Sequence, residues 1–218
     1  MTRLFLRAGH GIGPTLFLWL SLVLCLSLGA LIEPQAAYAD QTRALRAAPP
    51  LTPADQARLA QFEDNRRQAL QQARSSGASD DWRLLEQALA GDELPFKAAD
   101  LRGRWACRSF KLGGTLALAV YRPFQCEIVA DGQGYRLAKI NGSQRTAGRL
   151  VIQDERHAIY WGVLTVTGQK AVPYGRDAQR DQVARVVRTK PDHLRLEFPR
   201  PTYEADFEIL DLTRETAP

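Results

Sequence analysis

The densest set of chemistry-bearing side chains lies at residues 174–181, read Tyr-Gly-Arg-Asp-Ala-Gln-Arg-Asp. Tyr174 opens the segment. Arg176, Asp177, Arg180 and Asp181 then place two bases and two acids within six residues. If the segment holds a helical turn, Asp177 and Asp181 are neighbours on one face. Paired carboxylates do acid–base work when their environments push their pKa values apart. The adjacent arginines would instead hold both acids ionised, which argues against a proton donor. The competing expectation is a salt-bridged turn.

A second group follows the Asn141-Gly142 pair. Ser143, Gln144 and Arg145 offer a hydroxyl, an amide and a guanidinium that could clasp an anionic ligand. The alternative is turn chemistry followed by an arginine leaning over the core. Asn141-Gly142-Ser143 also matches a glycosylation sequon, although the turn explains it better. Past the first 39 residues the histidines are His157 and His193. Neither stands in a nucleophile–His–acid context, and no Gly-x-Ser-x-Gly elbow occurs. Clustered cysteines for zinc and a Gly-rich phosphate loop are also lacking. The sequence therefore predicts no catalytic set, no metal and no cofactor.

These groups need a scaffold, and the N-terminus says where it works. Arg3 and Arg7 precede an apolar run ending at Ile32, then Glu33-Pro34 and the small-x-small box Ala37-Tyr38-Ala39. That three-part pattern is a secretory signal peptide over residues 1–39. An uncleaved inner-membrane anchor is the alternative, since about 18 apolar residues just span a bilayer. Cleavage predicts a periplasmic or secreted chain with no stable membrane span. The whole chain has 29 basic and 24 acidic residues, a net +5, without a long run of one sign. Arg104, Arg108 and Phe110 share a strand face, but an exported protein is in the wrong compartment for nucleic acid. Beyond the signal, Cys107 and Cys126 are the cysteines, and an oxidising compartment favours a disulfide between them.

Residues 40–51 form an alanine-rich linker ending in Pro49-Pro50. Residues 52–98 read as a helical hairpin. Thr52 is the N-cap of the first helix, with Pro53 at its first position. Leu59, Phe62, Ala69, Leu70 and Ala73 recur at helical spacing. The second helix starts at Ser79, with Trp82, Leu85 and Leu89 as its stripe and Gly91 at its end. Residues 99–214 then alternate with period two, and 215–218 are a polar tail. About eight short strands with hairpin-length connections predict a small closed antiparallel barrel. In the first strand Trp105, Cys107 and Ser109 share a face. The strand at residues 157–167 is apolar on both sides and so predicts a cover, for which the helical hairpin is available. Trp105, Trp161, Leu194 and Phe198 are the expected interior residues.

Gly103-Arg104-Trp105 resembles the Gly-x-Trp opening of lipocalin-type barrels, where the tryptophan plugs one end. A longer resemblance is carried by Cys107-Arg108-Ser109-Phe110-Lys111-Leu112-Gly113, Gly142-Ser143-Gln144-Arg145, Pro173-Tyr174-Gly175-Arg176-Asp177, Arg180-Asp181-Gln182-Val183 and Glu208-Ile209-Leu210-Asp211-Leu212. It is to the domain-of-unknown-function 4893 family of bacterial exported proteins. That resemblance implies an export signal, a helical lead-in and a β-rich body, and it implies no activity.

The fold class expected is thus mainly β: a lipocalin-like antiparallel barrel behind an N-terminal helical hairpin. The function expected is a non-enzymatic exported binding module. Its partner is a small amphipathic molecule or an envelope protein. Two other classes stay open. One is an inhibitor of a secreted hydrolase, by fold analogy alone. The other is a hydrolase using Asp177 and Asp181. A binding module predicts a cavity lined by the four interior residues, and an inhibitor predicts a filled interior with a protruding loop.

Overall fold

The computed structural model describes residues 50–215 except 98 and 133. The expected signal peptide and nearly all of the linker lie outside the described residues. No described helix is long and apolar enough to cross a membrane.

The helical segment has three pieces: α1 (Pro53–Ala60), α2 (Phe62–Ser76) and α3 (Ser79–Leu89). Thr52 caps α1 as its side-chain oxygen accepts from the Asp55 N–H at 3.3 Å. The long first helix expected from the sequence is broken at Gln61, where φ and ψ are −101° and 12°. Residues on either side keep helical spacing, so the break leaves no trace in the apolar pattern.

Nine strands follow: β1 (Gly103–Leu112), β2 (Leu118–Val120), β3 (Phe124–Ala130), β4 (Tyr135–Lys139), β5 (Gln144–Ile152), β6 (Ala158–Val166), β7 (Asp181–Lys190), β8 (His193–Pro199) and β9 (Phe207–Arg214). Every pairing is antiparallel. Strands β3 to β9 run in sequence order, and β9 returns to β1 from Trp105↔Arg214 to Leu112↔Phe207. The result is a closed eight-stranded barrel. On its other edge β1 pairs with β3 at residues 103–107 and with the extra strand β2 at residues 110–112. Pro123 lies between β2 and β3, where a missing N–H breaks no ladder bond.

Alternation divides the apolar residues between two cores. Trp105, Cys107, Ile128, Leu137, Leu150, Tyr160, Leu194, Leu196 and Leu212 fill one half of the interior. Trp105 is fully buried there. Its indole N–H donates to the Leu101 carbonyl at 3.1 Å, and the Arg214 guanidinium lies 4.4 Å from its ring centroid. Cys107 and Cys126 form a disulfide across β1 and β3, with Cα atoms 5.8 Å apart.

The helices pack on the outside. Phe62, Ala69, Ala73, Leu85 and Ala88 meet Phe110, Leu112, Leu118, Phe207 and Ile209 from β1, β2 and β9. These contacts place α2 and α3 over β1, β2 and β9, while α1 lies against β7, the neighbour of β6. The outward charges of β8 are part of the same junction. Arg195 donates to Glu197 at 2.5 Å and to the Ala88 carbonyl at 3.0 Å, and Glu197 accepts from Arg66 at 2.8 Å.

Where β5 and β6 cross, Gly148 is paired with Gly162. A Cβ on Gly162 would fall 2.7 Å from the Gly148 Cα, so the close approach requires glycine.

Candidate binding site at the barrel mouth

The other half of the barrel interior is not filled. A cavity of about 140 Å³ lies there and opens to solvent beside the exposed residues Ser143 and Glu204. The strand alternation that buries Trp105 and Cys107 brings Ser109 and Lys111 inward next. The same period sends Leu137 and Lys139 of β4, and Leu210 and Glu208 of β9, to the interior.

Phe124, Leu164, Phe198 and Leu210 supply its apolar surface. A polar layer divides it from the packed half. Thr146 Oγ1 donates to Gln182 Oε1 at 2.7 Å and lies 2.6 Å from the Tyr160 hydroxyl, whose ring meets Phe198 edge-on at 5.7 Å. Full burial pushes the Tyr160 hydroxyl pKa up, against the Thr146 hydrogen bond, so it stays neutral.

Two lysines reach the cavity. Lys111 is 5% exposed, and its ammonium donates to Gln144 Oε1 at 2.7 Å and Glu204 Oε2 at 2.6 Å. The Lys111 hydrogen bond in turn holds the Glu204 carboxyl below its ordinary value. Lys139 is 8% exposed and lies over the Phe124 ring, with Nζ 3.6 Å from the centroid. Desolvation lowers its pKa; the Glu208 charge opposes that shift and the Lys111 charge adds to it. Glu208 Oε1 accepts from the Ser109 hydroxyl at 2.6 Å. The cavity is therefore amphipathic, with apolar walls and opposite charges held close together.

Of the binding residues expected from sequence, Ser143 and Gln144 line this cavity. Arg145 alternates to the outer face of β5, opposite Thr165. Of the four expected interior residues, Phe198 lines the cavity, and Trp105 and Leu194 belong to the packed half. Trp161 is placed differently. Tyr160 and Leu164 face the interior, so Trp161 lies on the outer face of β6, because strand neighbours alternate.

The 174–181 loop lies outside the cavity lining. It does hold one helical turn, since the Asp181 N–H donates to the Asp177 carbonyl at 2.9 Å. It is not, however, a salt-bridged turn. The buried Arg180 guanidinium donates to the carbonyls of Leu164 and Lys170, both at 2.9 Å, and to the Thr165 hydroxyl. Asp177 Oδ1 accepts from the Gln179 N–H, and Arg176 is exposed. The loop instead hydrogen-bonds to an ion pair that lies within α1. Arg58 donates to Asp55 Oδ1 at 2.6 Å and to the Asp181 carbonyl at 2.8 Å. The Tyr174 hydroxyl donates to Asp55 Oδ2 at 2.5 Å and accepts from the Thr52 N–H at 3.1 Å. Burial, helped by Asp55, pushes the Tyr174 pKa up to about 12. The Asp181 carboxyl accepts from the Gly175 N–H at 2.9 Å, yet desolvation raises its pKa.

The sequence reading missed Ser109, Lys111, Lys139, Thr146, Gln182, Glu204 and Glu208. The signal was there for Lys111 and Lys139, because each continues an inward-facing alternation that begins with Trp105 or Leu137. The histidines stay apart from the cavity. His157 pairs with Asp154 at 2.7 Å on the surface, and His193 with Asp211 at 2.5 Å. Among the described residues no group of His, Cys, Asp or Glu is placed to hold a metal ion.

No curated protein and no solved structure matches the chain. A family model does match, over residues 49–212, which takes in the helices and almost the whole barrel. The chain belongs to the family described as Domain of unknown function (DUF4893).

Proposed function

We propose that the protein is an exported, non-catalytic binding module that holds a small amphipathic molecule in the mouth of its barrel. The observation that carries this reading is the cavity of about 140 Å³, lined by the apolar Phe124, Leu164, Phe198 and Leu210 together with the charged Lys111, Lys139, Glu204 and Glu208. Small barrels hold ligands at such mouths, and mixed apolar and convergent polar linings are what ligand sites share. Since a liquid water occupies about 30 Å³, the space suits a small molecule or the head of a longer one. The N-terminal pattern of Arg3, Arg7, an apolar run and Ala37-Tyr38-Ala39 supports export, as does a disulfide in the barrel. In this reading the 174–181 loop fastens α1 to the barrel and carries no chemistry.

Native mass spectrometry of the protein recovered from its own cells tests the proposal. The expected spectrum shows a mature chain beginning at Asp40 with a non-covalent adduct that is lost on denaturation. A bare chain under gentle conditions, still bare after incubation with extracts of the same cells, would overturn it.

A further inference from the structure

The two lysines of the mouth cavity are in different states. Lys111 has acceptors on Gln144 and Glu204. Lys139 is equally buried, but its ammonium has no hydrogen-bond acceptor and no ion pair among the described residues. The Phe124 ring face is the group it meets, 3.6 Å from Nζ to centroid. A cation–π contact offsets only part of what a buried ammonium loses in leaving water. Gln182 is the second donor left over. Its oxygen accepts from Thr146, and its amide N–H groups have no acceptor among the described residues. The cavity thus holds two surplus donors beside an apolar wall.

We infer that Lys139 is the anion receptor of this cavity, and that the molecule held there is a monocarboxylate with a short hydrocarbon body. The inference rests on the reading of the mouth as a small-molecule site. The carboxylate would take the Lys139 ammonium as a charge-assisted donor, the strongest class of hydrogen bond available here. The hydrocarbon would lie against Leu164, Phe198 and Leu210. Lys111 and Lys139 are already matched in number by Glu204 and Glu208, so each further negative charge is opposed more strongly and one is favoured over two. Glu204 already neutralises Lys111. A phosphate dianion would meet the two carboxylates with twice the charge of a monocarboxylate. Desolvation lowers the Lys139 pKa and the Glu208 charge offsets only part of that shift, so a hydrogen-bonded anion would compensate the ammonium further.

Calorimetric titration of hexanoate, hexan-1-ol and hexylamine into the protein as recovered from its producing cells decides the matter. Hexanoate should bind about tenfold or more tighter than hexan-1-ol, as a charged hydrogen bond adds that much or more. In Lys139→Met, whose folding is checked by thermal unfolding, that preference should vanish while hexan-1-ol binds as before. If the variant does not fold, the ranking on the unaltered protein stands as the test. Equal binding of hexanoate and hexan-1-ol, or tightest binding of hexylamine, would overturn the role of Lys139 and leave the small-molecule reading intact. Binding of none of the three would overturn both.

Discussion

The Lys139 ammonium sits 3.6 Å from the centroid of the Phe124 ring, inside the barrel and next to its unfilled half. The two residues come from neighbouring strands, β3 and β4, whose pairing sets Cys126 opposite Lys139. Phe124 is the next inward position along β3. A lysine on β4 is therefore delivered to the ring of β3 by register alone, and the charge placed there has consequences that can be measured.

The first is a pH dependence. Burial moves the Lys139 pKa below the ordinary 10.5, with Glu208 opposing and Lys111 adding to the shift, and Glu204 is neutralised by Lys111. The folded chain releases this proton earlier than the unfolded chain does. Its burial thus costs stability at pH below the folded value, and the cost is relieved as pH rises from there towards 10.5. Lys139→Met should raise the unfolding temperature at neutral pH, with a gain that shrinks at alkaline pH. Thermal unfolding from pH 7 upward reads this. A variant that is less stable throughout would show that the ammonium has a partner.

The second concerns the clamp between α1 and the 174–181 loop. Asp55 is fully buried and depends on Arg58 and Tyr174. Arg58→Ala leaves that carboxylate without its cation, which should cost about 3–5 kcal/mol. Tyr174→Phe removes one hydrogen bond to a charged group and should cost about 1–3 kcal/mol. Urea denaturation midpoints rank the two. Near-neutral results for both would mean that α1 is not fastened through this loop.

Asp181 gives a prediction of opposite sign. Desolvation raises its pKa, so its ionised form costs stability at neutral pH, and the cost is relieved as pH falls through the folded value. Asn keeps an oxygen for the Gly175 N–H. Asp181→Asn should therefore be neutral or stabilising at pH 7, with the difference fading in acid. A marked loss of stability at pH 7 would reveal a salt bridge on this carboxylate.

The disulfide makes a fourth. Non-reducing digestion should yield one linked peptide pair containing Cys107 and Cys126, and replacing both with serine should cost about 2–5 kcal/mol. Free thiols at both positions in native material would contradict the β1–β3 arrangement.

Much of the barrel was legible in the sequence. Strict alternation from Gly103 onward, Pro123 as an interruption and Asn141-Gly142 as a turn sufficed to place the strands, because period-two burial is a local signal. Other features depend on contacts distant in sequence. The break at Gln61 leaves helical spacing intact. The position of the helices on β1, β2 and β9 depends on how the closed sheet meets them. The charges of the 174–181 loop suggested a self-contained turn, but its Tyr174 hydroxyl and Asp181 carbonyl bind Asp55 and Arg58, about 120 residues earlier, whose ion pair lies within α1. The place and lining of the cavity were missed for a similar reason. Lys111 and Lys139 can be assigned to the inward face from their neighbours, but the depth at which side chains stop filling the barrel depends on all eight strands together.

The central claim, that the mouth cavity receives a small amphipathic molecule, is tested most directly by residue-resolved NMR during titration with hexanoate. The account predicts saturable shifts at Phe124, Leu164, Phe198 and Leu210, with the Phe62 and Phe207 signals of the outer core unchanged. Shifts confined to exposed residues such as Val129 and Ile140, or no saturable shift in the barrel interior, would contradict it.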